Sequence, residues 1–198
     1  MSKSDKKHAA IISAAKVAFK DQGVKASSMD KIAEMAGVSK RTVYNHFATK
    51  EALVLHILST YSASAAIDAK LIYSSNTSLD KQLIALLETE INILGDQDYL
   101  DMIRVAFGHF YCHPDELKDA IEKFDRDETA LHVWLKAAVD DQKLKPMDID
   151  FAVTQLLNLV KGSCFWSQWL KINPVLNQQQ KHFLAQESAA MFLSRYQI

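Results

Sequence analysis

Apolar positions along the chain recur every three to four residues, and no segment reads convincingly as a strand. Near the N-terminus Ile12, Ala15 and Phe19 fall on one helical stripe, widened by Ile11 and Ala18. That predicts a helix from about Asp5 to Asp21, ended by Gly23. Thr49 reads as the cap of a helix that begins Lys50-Glu51-Ala52-Leu53 and runs to about Ile72, with Leu53, Ile57 and Tyr61 on one face. Tyr73–Ser78, rich in serine, is a loop. A helix from Leu79 stops at Gly95, and another from Asp98 stops at the Cys112-His113-Pro114 corner. Asp115 opens a helix to about Gln142, Asp148 opens one to about Ile172, and the last runs from about Asn177 to Tyr196. With the pair described next, the chain is predicted to be all-α with about nine helices, a three-helix head on a C-terminal helical-bundle body. The expected boundaries are 5–65 for the head and 66–198 for the body.

The most informative stretch is Ser27–Lys50. Ser27 or Ser28 can cap a short helix whose first turn carries Asp30, and Ile32, Ala33 and Met35–Ala36 supply its inward face. Gly37 sits where the chain must turn sharply, Val38 plugs the turn, and Ser39 caps a second helix from Lys40 to about His46. Two helices across a short glycine-containing turn form a helix-turn-helix (motif 28–47), whose second helix enters a DNA major groove. Val43 and Phe47 face inward. Lys40, Arg41, Thr42, Tyr44, Asn45 and His46 face outward, a dense set of hydrogen-bonding side chains that a merely solvated helix does not need.

At these residues the chain resembles the TetR family of transcriptional regulators. Ile11-Ile12-Ser13-Ala14-Ala15, Ala18-Phe19 and Gly23 are similar to that family's first helix. Ile32-Ala33, Ala36-Gly37-Val38-Ser39, Val43-Tyr44-Asn45-His46-Phe47 and Lys50-Glu51-Ala52-Leu53 are similar to its DNA-binding signature. The match covers about the first 60 residues, and roughly Tyr99–Leu170 resembles the AefR-like branch of C-terminal domains. The resemblance implies a DNA-contact set of Ser28, Ser39, Lys40, Arg41, Thr42, Tyr44, Asn45, His46 and Lys50, with Ser28 and Lys50 anchoring the DNA backbone. It also implies a homodimer on a double-stranded palindromic operator, joined through the two C-terminal helices, and a body that encloses a small inducer. A repressor released by that inducer is the expected function, with an activator of the same fold, or a protein-binding module without DNA affinity, as alternatives.

Charge sharpens this picture. The 198 residues carry a net charge of −1, yet residues 1–50 alone sum to +6 and the remainder to −7. A basic head on an acidic body suits a protein that places one end on phosphate. Lys3, Lys6 and Lys7 belong to that head, though a solvated lysine tail accounts for them equally. No run of eighteen apolar residues and no signal peptide is legible at MSKSDKKH, so a cytoplasmic protein without membrane contact is expected.

The body offers less. Phe151, Leu156, Leu159 and Val160 on one late helix, and Phe183, Leu184, Ala190, Met191 and Phe192 on the other, form broad apolar faces. They serve either a dimer or the subunit's own core. Phe107, Phe110, Tyr111, Trp134, Phe165, Trp166 and Trp169 are candidates to line an effector pocket, open against the plainer reading of core aromatics, and an apolar or aromatic ligand is expected. Gly108 and Gly162 inside helices imply either close helix packing or room for a ligand.

Other chemistry finds little footing. His109 and His113 are spaced like a metal pair near Asp115 and Glu116, but Pro114 breaks their helix, so no metal site is expected. Asp96, Asp98 and Asp101 suit capping and lack EF-hand spacing. Cys112 and Cys164 lack ligand spacing and read as buried thiols. No glycine-rich phosphate loop, nucleophile elbow or paired carboxylates is present, so neither an enzyme nor a cofactor is expected.

Overall fold

A computed structural model describes residues 3–69, 73–111 and 129–198. Ten helices and no β-strand occur among the described residues. They are α1 Lys3–Ala26, α2 Met29–Met35, α3 Lys40–His46, α4 Lys50–Ala69, α5 Leu79–Leu94, α6 Gln97–Phe110, α7 Ala130–Asp140, α8 Ile149–Cys164, α9 Trp166–Trp169 and α10 Gln178–Tyr196. The chain forms two compact units. One gathers the residues up to Thr60 with a segment that begins at Asp101, and the other takes Tyr61–Leu100 and the C-terminal part.

In the first unit α1 packs on α2 and α2 on α3. The buried stripe of α1 is Ile11, Ala14, Ala15, Ala18 and Phe19, as the periodicity predicts except at Ile12, which lies at its edge and is only half-buried. At Gly23 the helical path is broken (φ 77°, ψ 154°), and one further turn runs to Ala26. On α4, Leu53, Val54 and Ile57 are fully buried. The Tyr61 side chain and the expected end at Ile72 lie outside the described residues.

In the second unit α5 is an amphipathic helix whose Leu83, Leu87 and Ile91 are fully buried. It packs on α8 and α10, α10 also packs on α8, and α7 packs on α8. Buried Gln82 holds the 73–78 loop. Its Nε2 donates to the carbonyls of Ser74 (2.9 Å) and Thr77 (2.7 Å), and its Oε1 accepts from Ser74 N (2.9 Å) and Trp134 Nε1 (3.2 Å).

Two expected helices are divided differently. The one expected from Asp115 to Gln142 has a start at Thr129, which is extended (φ −78°, ψ 169°) and caps α7. The Thr129 N–H donates to His132 Nδ1 at 3.2 Å, so histidine takes the place of the Glu or Gln that marks such a box in sequence. Residues 112–128, with Cys112, His113, Pro114, Asp115 and Glu116, lie outside the described residues. The helix expected from Asp148 to Ile172 breaks at Phe165 (φ −124°, ψ −63°) into α8 and α9. The jog buries the Phe165 ring and stacks Trp169 against it, with centroids 6.5 Å apart and planes within 5°.

Candidate nucleic-acid interface

Ser28, not Ser27, caps α2, its hydroxyl oxygen accepting from Lys31 N at 3.2 Å. Ser27 is buried instead, with its hydroxyl 2.9 Å from the Gly23 carbonyl and 3.0 Å from that of Ala18. Ala36 N–H closes α2 on the Ile32 carbonyl at 2.9 Å. The chain then turns at Gly37, whose φ of 64° an L side chain tolerates poorly. Val38 N–H donates back to the Ala33 carbonyl at 3.1 Å, with its side chain half-buried. Ser39 caps α3, accepting from Thr42 N at 3.2 Å and lying 2.8 Å from the Thr42 hydroxyl.

Between these caps α3 has two unlike sides. Val43 is fully buried and Phe47 nearly so, on the side that holds α3 in the head, where α2 packs on it. Lys40, Arg41, Tyr44 and Asn45 are exposed, while Thr42 and His46 are half-buried. The structure therefore brings Ser39, Lys40, Arg41, Thr42, Tyr44, Asn45 and His46 together on one short helix and its cap. Met35, expected inward, is 40% exposed. On a seven-residue helix the apolar stripe is already filled by Met29, Ile32 and Ala33.

Three contacts around α3 were not legible in sequence. Lys40 Nζ pairs with Asp30 Oδ2 at 2.6 Å. The His8 ring stacks on Phe47, with centroids 5.1 Å apart, and meets His46 at 5.4 Å and His56 at 4.9 Å. Burial, and then the charges of His8 and Lys16, lowers the His56 pKa from 6.5. Lys50 stands apart from the outward set, because its ammonium turns toward backbone carbonyls of the head at Val24, Lys25 and Ser27.

The effector-pocket candidates are divided between the two units, Phe107 and Tyr111 in the first and Trp134, Phe165, Trp166 and Trp169 in the second. Phe165, Trp166 and Trp169 form a mutual cluster, with Trp166 47% exposed. Trp134 is core, 1% exposed, bonded to Gln82 and edge-on to Tyr73 at 6.4 Å. Phe107 is 41% and Tyr111 90% exposed, while the Phe110 and His109 side chains lie outside the described residues. Among the described residues, a side chain at Gly108 or Gly162 would meet no heavy atom within 4 Å. Glu90, half-buried, carries a carboxyl that burial pushes above its usual range, against the opposing charge of Lys161. Burial likewise pushes the Cys164 thiol to about 11, far from a reactive thiolate. No metal-binding group of three or more ligands occurs among the described residues, and no described helix is long and apolar enough to cross a membrane.

Comparison with known proteins agrees with this geometry. Residues 11–57 match the bacterial regulatory proteins of the tetR family, and residues 81–198 match the C-terminal domain of AefR-like transcriptional repressors. A crystallised TetR family transcriptional regulator from Pseudomonas syringae pv. tomato is 36% identical, aligning 98% of each chain with a TM-score of 0.72. The uncharacterized HTH-type transcriptional regulator YhgD of Bacillus subtilis is 26% identical over 183 residues, 85% of this chain and 87% of that one. The flavonoid-responsive regulator FrrA is 25% identical, with 96% of this chain and 97% of that one aligned and a TM-score of 0.59. The chain belongs to the TetR family, as a non-enzymatic DNA-binding transcriptional regulator whose C-terminal domain is of the AefR-like kind.

Proposed function

We propose that the protein is a dimeric repressor acting in the cytoplasm, released from a palindromic operator when a small molecule binds its body. The observation that carries this reading is the division of α3. Buried Val43 and Phe47 hold it, while exposed Arg41, Tyr44 and Asn45 are free to meet base edges and phosphates. Arg41 is assigned the bidentate contact with guanine and Asn45 the contact with adenine. Lys40, Thr42, Tyr44 and His46 take phosphates or thymine methyls, and Ser28 and Ser39 take backbone at the helix starts.

Two arguments support a dimer. A lone helix-turn-helix gains affinity and specificity by reading two half-sites. The last two long helices also expose apolar side chains, with Phe151 58%, Phe183 62% and Met191 62% exposed. Repression is favoured by the likeness to AefR-like repressor C-terminal domains. An aromatic effector is supported by the Phe165–Trp166–Trp169 cluster and by the flavonoid response of FrrA. Release follows from linkage, because a ligand that favours a conformation with wrongly spaced heads must weaken DNA binding reciprocally.

The test is selection of bound duplexes from a random pool at two salt concentrations. A palindromic consensus with half-sites about 34–36 Å apart is expected. Binding without enrichment, lost as salt rises, would reduce the head to a basic surface and overturn the reading.

A further inference from the structure

Lys50 was expected to meet a DNA phosphate, and its ammonium goes elsewhere. Nζ donates to the carbonyls of Val24 at 2.9 Å, Ser27 at 3.1 Å and Lys25 at 3.4 Å. A lysine ammonium has three donors, and three carbonyls take them. The arrangement has an electrostatic cause. A cation is disfavoured in the first turn of α4, where Lys50 starts, and favoured at the carbonyl end of a helix, where its side chain ends. The α1–α2 connection is thus pinned from two sides, by the buried Ser27 hydroxyl at the Ala18 and Gly23 carbonyls and by Lys50 from α4. Ser28, the cap of α2, follows immediately, and α4 continues past Thr60, where the head unit ends.

We propose that Lys50 is a positioning residue, a strut that fixes the angle between the helix-turn-helix and α4 and thereby determines which half-site spacing a dimer accepts. This role rests on the dimeric reading above. It differs from a phosphate contact in what it controls. A phosphate contact sets the salt dependence of binding and leaves spacing alone, whereas a strut sets spacing and leaves the salt dependence alone.

The experiment is duplex selection from a pool with randomised spacers, followed by a salt series, on wild-type protein, Lys50→Met and Lys50→Arg. Methionine keeps the stem and removes the donors, and arginine restores donors and charge. If Lys50→Met does not fold, Lys50→Leu, which also lacks donors, replaces it with the same expectation. Lys50→Met should select unchanged half-sites with spacers spread over one or two additional base pairs. It should bind about tenfold more weakly with an unchanged slope of log affinity against log salt, and Lys50→Arg should recover the narrow spacing. A merely destabilised head would bind less without changing spacer choice. A slope reduced by about two per dimer would assign the ammonium to phosphate and overturn the proposal. An unchanged spacer distribution in Lys50→Met would overturn it too. If wild-type protein itself enriched only single half-sites, the dimeric reading would fall and this role with it.

Discussion

The Lys40 ammonium lies 2.6 Å from the Asp30 carboxylate, joining the first turn of α3 to the first turn of α2. Asp30 raises the Lys40 pKa, chiefly through the hydrogen bond and then through its charge. Both groups are well exposed, so the pair adds little to stability. Its consequence lies in binding, since Asp30 neutralises a cation on the proposed DNA face and repels phosphate. Asp30→Asn is expected to tighten operator binding roughly three- to tenfold and to steepen the salt slope by about one per subunit. Fluorescence anisotropy across a salt series measures both. Unchanged affinity would place this pair away from the DNA.

Arg41 is exposed beside the pair and has no described partner of its own to leave. Arg41→Ala is expected to cost about 1–3 kcal/mol on the selected operator and to relax preference at one base pair. Binding to operators changed singly at each position reads this directly. An equal loss on every sequence would make Arg41 a phosphate contact.

The head was legible because its positions are constrained locally. Gly37 must supply a positive φ, Ser39 must cap, and Val43 and Phe47 must face inward, so spacing places them and leaves open only which of Ser27 and Ser28 caps α2. What sequence did not show are contacts between residues far apart in the chain. The three carbonyls around Lys50 lie 23 to 26 positions earlier, and His8 meets Phe47, which lies 39 positions later. The body was less legible for a related reason. Periodicity marks a residue as apolar-faced without saying which neighbour covers it. Leu156, Val160 and Phe192 proved to be the subunit's own core, while Phe151, Phe183 and Met191 on the same two helices are exposed. The break at Phe165 carries no proline, and the Gly162-Ser163 pair in the turn before it is the one local signal.

His56 links acidity to the head's stability. Its pKa is lowered first by burial and then by the charges of His8 and Lys16, and His8 also meets the His46 ring at 5.4 Å. A lowered histidine pKa means that the unfolded chain binds the proton first. Stability is therefore fully present above the unfolded value of about 6.5 and is lost as pH falls through the lower folded value. The melting temperature should decline on acidification below about pH 6.5. His56→Phe keeps a ring against His8 and Phe47, and it should flatten that decline. Circular dichroism melts at stepped pH test this, and an equally steep profile in the variant would mean that His56 charges freely in the folded head.

Phe183 separates the two uses of the last helix. Its ring is 62% exposed, whereas Ala185, Ala189 and Phe192 on the same helix are buried. A charge at position 183 therefore disturbs little within the subunit but would be desolvated in a dimer interface. Phe183→Glu is expected to weaken dimerisation by about 2–4 kcal/mol, the scale of an interface hot spot, while the melting of the subunit itself changes little. Phe192→Ala is the contrasting change and should lower subunit stability by about 3–5 kcal/mol. Sedimentation velocity at several concentrations separates the two effects, and operator affinity should fall in parallel with the dimer. If Phe183→Glu sedimented as the wild type does, the dimer would have to join through another face, and the half-site spacing would have to be derived again from that geometry.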